Sequence, residues 1–144
     1  MVEHQGYFFE DLAEGMSASF EKRITDEDIV KFAEVTGDTN PLHLDDEFAR
    51  ESIFEGRIAH GMLTASLFSA ILGTRMPGPG CIYMNQSIRF RAPVRPGELA
   101  LATVTVKRID SAKQRVEFDC SCVVGNTVVA DGEAMVKVPS RARG

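Results

Sequence analysis

The sequence predicts an α+β domain in which one antiparallel sheet wraps around one buried helix. Residues 59–73 are apolar almost all round, which is typical of a helix buried inside a protein. From residue 81 onward the apolar residues recur at every second position, which is typical of strands with one face in the core. A long apolar helix and an apolar sheet face can bury each other, and this packing is the predicted architecture.

Two elements are predicted at the N-terminal side of the long helix. Residues 17–24 have the pattern of a first strand. A helix is predicted to begin at Thr25, because Asp28 stands three residues later and completes a variant capping box. This helix should end near Gly37, because glycine takes the positive φ that commonly terminates a helix.

The remaining elements lie on either side of the long helix. Residues 45–51 are predicted to form a short polar helix with Phe48 facing inward. Four strands are predicted after the long helix as an antiparallel meander, with Val128 on the inward face of the fourth. Their predicted ranges are 81–91, 98–109, 114–124 and 127–138.

Length and composition predict a single globular domain. The chain has 144 residues, of which 44% are hydrophobic and 26% are charged, and these are ordinary globular values. We expect residues 1–144 to form one domain, with an N-terminal extension at 1–14 and a polar tail at 139–144.

Charge and residue usage argue against several kinds of partner. The net charge of −5, without a long basic run, predicts no nucleic acid partner. The apolar helix is shorter than the roughly 20 residues that a bilayer requires, so no membrane partner is predicted. The three cysteines and the lack of a signal peptide favour a reducing, cytoplasmic setting. Cys-x-x-Cys and His-x-x-x-His patterns are absent from the sequence, so no metal site is predicted.

Candidate catalytic residues lie in the segment 36–43, Thr-Gly-Asp-Thr-Asn-Pro-Leu-His. Pro41 fixes its own φ and disfavours a helical conformation at Asn40, so the segment is predicted to be a stiff, non-helical turn. Asp38 and His43 on such a turn form a candidate acid–base pair, because imidazole titrates near neutrality. The alternative is that Asp38 and Asn40 only bond their own backbone.

The histidine count narrows the candidates for acid–base chemistry. The chain has three histidines, of which His4 lies near the N-terminus, where chains commonly fray. Any histidine chemistry should therefore come from His43 or His60. His60 directly precedes the long helix, and we expect a structural role for it, such as positioning the Gly61 peptide.

Three segments together resemble a known family. They are Phe-Ala-Glu-Val-Thr-Gly-Asp-Thr-Asn-Pro-Leu-His at 32–43, Ala-His-Gly-Met at 59–62, and Phe-Arg-Ala-Pro-Val-Arg-Pro-Gly-Glu at 90–98. The chain resembles the MaoC-like dehydratases, the (R)-specific enoyl-CoA hydratases, over roughly residues 15–138. The resemblance implies a hot-dog fold and a homodimer whose two sheets join edge to edge, with acyl-CoA near the interface. The length is similar to that of the short members linked to polyhydroxyalkanoate supply.

The resemblance also implies roles for individual residues. Asp38 and His43 match the catalytic pair, and Asn40 matches a residue that positions water or substrate. Gly61 matches the glycine whose backbone N–H binds the thioester oxygen, and Ser69 matches a serine of functional importance. Met62, Leu63, Leu67 and Phe68 are candidates to line the acyl pocket, with core packing as the alternative. Arg89, Arg91 and Arg95 either meet CoA phosphates or are simply solvated.

The implied reaction is reversible syn hydration of trans-2-enoyl-CoA to (3R)-3-hydroxyacyl-CoA. It needs a donor to the thioester oxygen, a base for water and an acid for C2, and it needs no cofactor because CoA is part of the substrate. Ser69 would lie about 12 Å from Gly61 along a helix. A hydrogen bond from Ser69 to the acid–base loop or to a helical carbonyl therefore fits better than a contact with the oxyanion.

Other functions remain open at this point. A dehydratase could act on 3-hydroxyacyl thioesters of acyl carrier protein, although that function would favour an electropositive docking patch. A hot-dog thioesterase is a second enzyme class, but such enzymes do not usually pair their acid with Asn-Pro-x-His. A non-catalytic acyl-CoA-binding module would not need Asp38 and His43 together.

Overall fold

The structure is a computed structural model, and it describes residues 6–141. A single 3₁₀ turn at Phe9–Asp11 precedes the regular elements. In chain order these are β1 (Ser17–Arg23), α1 (Asp26–Thr36), α2 (Pro41–Leu44), α3 (Asp46–Arg50), α4 (Gly61–Thr74), β2 (Ile82–Phe90), β3 (Leu99–Asp110), β4 (Arg115–Val124) and β5 (Thr127–Lys137).

The five strands form one antiparallel sheet around α4, so the predicted α+β hot-dog architecture is confirmed. The buried side chains of α4, such as Phe68 and Ile71, belong to one core cluster with Val104 and Phe118 of the sheet. In the part of the chain that is described, no helix is long and apolar enough to span a membrane.

The order of the strands differs from the predicted meander. The sheet order is β1-β3-β4-β5-β2, so β2 pairs with β5 instead of β3. The segment between β2 and β3 causes the difference. In this segment the Val94 carbonyl accepts the Ala59 N–H at 2.7 Å, and the Gly97 N–H donates to the Ile24 carbonyl at 2.6 Å. The chain therefore passes the start of α4 and reaches β1 at the opposite side of the sheet.

The ends of α1 agree with the sequence prediction. Thr25 is the N-cap, its hydroxyl accepts the Asp28 N–H, and the Asp28 carboxylate accepts the Thr25 N–H at 3.0 Å. The hydrogen bond from the Thr25 backbone is the main reason that the pKa of Asp28 lies below its ordinary value of 3.8. Gly37 terminates the helix with φ 83°.

Two sequence predictions about the following segment are wrong. Residues 36–43 are not wholly non-helical, because α2 begins at Pro41 and includes His43. Proline is favoured at the first position of a helix, and the Asn40 side chain caps this one. Phe48 does not face inward, since 54% of its surface is exposed, and Ala49 is the buried residue of α3.

A β-bulge changes the inward face of β5. Cys122 pairs with Ala130 but Val123 pairs with Val128, so Val129 is an extra residue between them. Val128 is therefore exposed, contrary to the prediction, and Val129 is buried. The bulge lies beside the cavity described below.

The two ends of the described chain pack against each other. The Phe9 N–H donates to the Pro139 carbonyl at 2.8 Å, and the Glu10 carboxylate accepts hydrogen bonds from Ser140 and Arg141. Residues 6–14 and 139–141 thus belong to the packed body of the fold. His4 and the last three residues of the predicted polar tail lie outside the described residues.

Candidate active site

The acid–base segment is shaped by two helix ends. Gly37 stops α1, and Asn40 then caps α2, so that Asp38 lies between the two helices and His43 lies in α2. His43 is buried, whereas Asp38 is exposed. An oxygen of Asp38 and a ring nitrogen of His43 lie within 4.8 Å of each other. A water molecule that makes two hydrogen bonds of about 2.8 Å can bridge this separation.

The orientation of the His43 ring is fixed by the backbone. Its Nδ1 lies 2.8 Å from the Ile58 carbonyl oxygen. Because a carbonyl can only accept a hydrogen bond, Nδ1 donates to Ile58, and Nε2 is the ring nitrogen left to exchange a proton. A nitrogen of this kind suits either member of an acid–base pair.

His60 lies directly behind this pair. Its Nε2 donates a hydrogen bond to the Asp38 carbonyl at 2.9 Å, and its ring lies against His43 with the centroids 3.9 Å apart. Phe32 contacts the His60 ring as well, at a centroid distance of 4.8 Å. His60 is also the N-cap residue of α4, which agrees with the predicted position beside the Gly61 peptide.

Gly61 is the first residue of α4, and its N–H has no acceptor within residues 6–141. The first amides of a helix lack partners inside it, and the helix dipole places partial positive charge at this end. The backbone at Gly61 also lies close to the Phe90 ring. A Cβ atom at this position would lie 2.7 Å from Cε1 of the Phe90 ring.

A cavity of about 340 Å³ joins these groups. Its walls are mostly apolar, and its lining includes Asp38, His43, Phe54, Ile58, His60, Gly61, Met62, Thr64, Phe90, Arg91, Val94 and Val129. The acid–base pair and the start of α4 therefore face the same cavity.

The other predicted site residues do not all lie at the cavity. Met62 lines the cavity, but Leu63 and Phe68 are buried in the core and do not. Asn40 is exposed and does not line the cavity. Its side-chain oxygen accepts the Leu42 N–H at 3.0 Å, so it bonds the nearby backbone, as the alternative prediction has it. Ser69 is exposed on α4, away from the cavity.

Several lining residues were not singled out by sequence reasoning. Val129 reaches the cavity because of the bulge, and its carbonyl accepts the N–H groups of Arg91 and Ala92, which orders the wall after β2. Phe54 comes from an irregular loop, and Thr64 from a helix face that looked like ordinary core. The motif at 90–98 supplies Phe90, Arg91 and Val94 to the lining, although its local pattern predicts only a strand and a turn.

The three strand-region arginines have different surroundings. Arg91 lines the cavity and forms an ion pair with Asp131 at 2.7 Å. Arg95 is half-buried and donates to the Phe54 and Gly56 carbonyls at 2.6 and 3.2 Å. Arg95 therefore holds the loop that forms one cavity wall, while Arg89 is exposed.

Three side chains of this site lie close enough together to be considered as metal ligands. One potential ligand atom from each of Asp38, His43 and His60 lies within 4.8 Å of the others. Each histidine, however, already directs one ring nitrogen to a backbone carbonyl, and the Asp38 carboxylate is exposed. The absence of a metal stays a prediction.

The fold and the site define a class of protein, namely a hot-dog domain with an acid–base cavity at the start of its central helix. Residues 10–128 match the family described as MaoC like domain. The chain belongs to the MaoC-like dehydratase family.

Individual relatives agree with this assignment. The chain is 51% identical over 135 residues to an (R)-specific enoyl-CoA hydratase of Rhodospirillum rubrum, covering 94% of both chains. It is 49% identical over 134 residues to a 3-hydroxybutyryl-CoA dehydratase of Methylorubrum extorquens, covering 93% of this chain and 85% of the relative. A solved structure, the (R)-hydratase from A. caviae involved in PHA biosynthesis, is 40% identical and superposes with a TM-score of 0.87, covering 90% of this chain and 99% of that one.

Proposed function

We propose that this protein is an (R)-specific enoyl-CoA hydratase, which adds water reversibly to trans-2-enoyl-CoA to give (3R)-3-hydroxyacyl-CoA. The observation that carries the proposal is the convergence of Asp38, His43 and the unpaired Gly61 N–H on one cavity. The names of the relatives at 51% and 49% identity support the same reaction.

In the proposed reaction, water adds across one face of the double bond. The water oxygen bonds to C3, one of its protons passes to the basic member of the Asp38–His43 pair, and the acidic member delivers a proton to C2. The pair returns to its starting protonation by exchanging that proton. Since the two groups lie within 4.8 Å of each other, both serve the same face of the substrate, and the two new bonds formed there give syn addition.

The Gly61 N–H supplies the hydrogen-bond donor that the thioester oxygen requires. Negative charge develops on the thioester oxygen as C3 is attacked, and the unpaired N–H at the positive end of α4 can donate a hydrogen bond to that oxygen. One such donor typically stabilises a transition state by about 3–4 kcal/mol. The acid–base steps each contribute about 10²–10⁴-fold in rate. These groups supply all the chemistry, so the proposed reaction uses no cofactor besides the CoA of the substrate.

The surface features support the predicted homodimer. β2 is an edge strand of the sheet, and its side chains include exposed Ile82, Tyr83 and Met84. An exposed apolar edge strand is a template for pairing with a second strand. In the proposed dimer, two copies join their sheets at β2, and the exposed face of α4 near Met62 lies close to the partner. The three free cysteines fit the proposed cytoplasmic setting.

The test is a direct assay with crotonyl-CoA. The purified protein should remove the enoyl absorbance without releasing thiol, and the reverse reaction should consume (3R)- but not (3S)-3-hydroxybutyryl-CoA. Thiol release would identify a thioesterase instead. Much faster turnover of the crotonyl thioester of acyl carrier protein would favour the carrier-protein dehydratase, and binding without turnover would favour a non-catalytic module.

A further inference from the structure

His60 contacts each part of the proposed site. Its Nε2 bonds the Asp38 carbonyl, its ring lies against His43, and its own carbonyl begins α4 next to Gly61. We infer that His60 is a positioning residue, which holds the Asp38 carboxylate, the His43 ring and the Gly61 N–H in their relative places. This inference rests on the proposed function, because it assigns His60 a part in that reaction.

The ring of His60 is held on several sides. It is 1% exposed, and it lies between Phe32, at an interplanar angle of 53°, and His43, at 31°. A side chain packed in this way cannot rotate without displacing its neighbours. The direction of its Nε2–H is therefore fixed, and so is the Asp38 peptide that accepts it.

The hydrogen bonding of His60 argues against a packing role alone. Because the Asp38 carbonyl can only accept, Nε2 carries the hydrogen and Nδ1 is a bare acceptor. Nδ1 is buried and has no partner within the described residues. A buried acceptor without a donor is unfavourable, so an apolar ring of the same shape would suit pure packing better. The Nε2–H is the feature that an apolar ring would lack.

His60 acts through its neighbours instead of touching the reacting atoms. One ring nitrogen is committed to Asp38 and the other is inaccessible. The inferred role is therefore geometric. A displacement of about 1 Å in a reacting group can reduce the rate by about a hundredfold.

Two substitutions separate the hydrogen bond from the ring. His60→Phe keeps a ring between Phe32 and His43 but cannot donate to Asp38. His60→Gln loses the ring but retains an amide N–H that can reach the Asp38 carbonyl. For hydration of crotonyl-CoA, we expect His60→Phe to lower kcat by about thirty- to a hundredfold with KM within about threefold. Because a phenyl ring is larger than an imidazole, the Tm of His60→Phe should fall, but no further than in the control variant described below. His60→Gln should recover most of kcat despite a lower Tm.

A control variant and a measurement without substrate complete the test. Phe118→Leu alters the core away from the cavity, so it should lower Tm while leaving kcat unchanged. ¹H–¹⁵N NMR should show the amide of Thr39, whose nitrogen belongs to the same peptide as the Asp38 carbonyl, shifted in His60→Phe and restored in His60→Gln.

Three outcomes would overturn the inference. They are full kcat in His60→Phe, loss of kcat in both His60 variants in step with Tm, and an unchanged Thr39 amide resonance in His60→Phe. If the unmodified protein does not hydrate crotonyl-CoA, the proposed function fails, and the NMR measurement still decides whether His60 positions the Asp38 peptide.

Discussion

Nδ1 of His43 lies 2.8 Å from the carbonyl oxygen of Ile58, so the backbone of one loop selects the ring nitrogen that is free for chemistry. Ile58 directly precedes the segment that starts α4, so the same stretch of chain orients the base and presents the Gly61 N–H. The acid–base pair and the oxyanion donor are thus linked by short backbone connections and not only by the packing of distant elements.

The first prediction concerns the acid–base pair. Asp38→Asn and His43→Gln should each lower kcat for crotonyl-CoA hydration by at least about a hundredfold, because each removes one proton-transfer group. Glu47→Gln changes an exposed carboxylate on α3 and should leave the rate unchanged. Absorbance assays of the three variants with crotonyl-CoA measure the change in kcat. Unchanged rates in both Asp38→Asn and His43→Gln would contradict the assignment.

The second prediction separates two reasons for glycine at position 61. Gly61→Ala should lower kcat by at least about tenfold, since a Cβ at the helix start obstructs the approach of the thioester to the N–H. The same Cβ meets the Phe90 ring at 2.7 Å, so Tm should fall as well. In the double variant with Phe90→Leu, we expect Tm to recover but kcat to stay low. Recovery of kcat in the double variant would mean that glycine is needed only for packing against Phe90.

The third prediction concerns pH and the cap of α1. The folded-state pKa of Asp28 lies below its ordinary value of 3.8, so the ionised carboxylate stabilises the folded state above that value. This stabilisation disappears as the pH falls through the folded-state pKa. Asp28→Asn should therefore reduce the free energy of unfolding at neutral pH, and the deficit should shrink in acid below pH 3.8. Urea denaturation of both proteins at several pH values measures this difference in the free energy of unfolding.

A control variant on the same helix shows whether the effect is specific to Asp28. Glu34 is an exposed residue of the same helix, and Glu34→Gln should change the free energy of unfolding by less than about 0.5 kcal/mol. Thr25→Ala removes the N-cap itself and should cost about 1 kcal/mol. A deficit for Asp28→Asn that grows toward low pH would contradict the capping interpretation.

The fourth prediction tests the dimer at the edge of β2. Met84→Lys places a charge on the exposed edge strand, which should weaken strand pairing between copies. Light scattering after size-exclusion chromatography should show a shift from dimer to monomer. Glu21→Lys places a lysine on β1, the other edge strand, and should leave the mass unchanged. A monomeric unmodified protein, or dissociation by Glu21→Lys alone, would contradict the predicted interface.

The sequence alone determined most of the local structure. The capping box of Thr25 and Asp28, the stop at Gly37 and the ranges of the five strands are short-range properties, because each depends on residues a few positions apart. The candidate pair Asp38 and His43 was also available, since one short segment carries both. Local pattern failed at Pro41, where two local rules compete because proline breaks one helix but begins the next, and at Phe48, which α3 leaves exposed.

Tertiary structure alone decided the pairing of β2 with β5, the bulge at Val129 and the position of His60. Strand order depends on the hydrogen bonds that a connecting segment makes with other parts of the fold. The bulge depends on the register of the partner strand. Neither feature produces a periodic pattern in the sequence. His60 lies 22 residues from Asp38 along the chain, yet its ring bonds the Asp38 carbonyl. Contacts of that kind arise from folding, because they join groups that no local spacing relates.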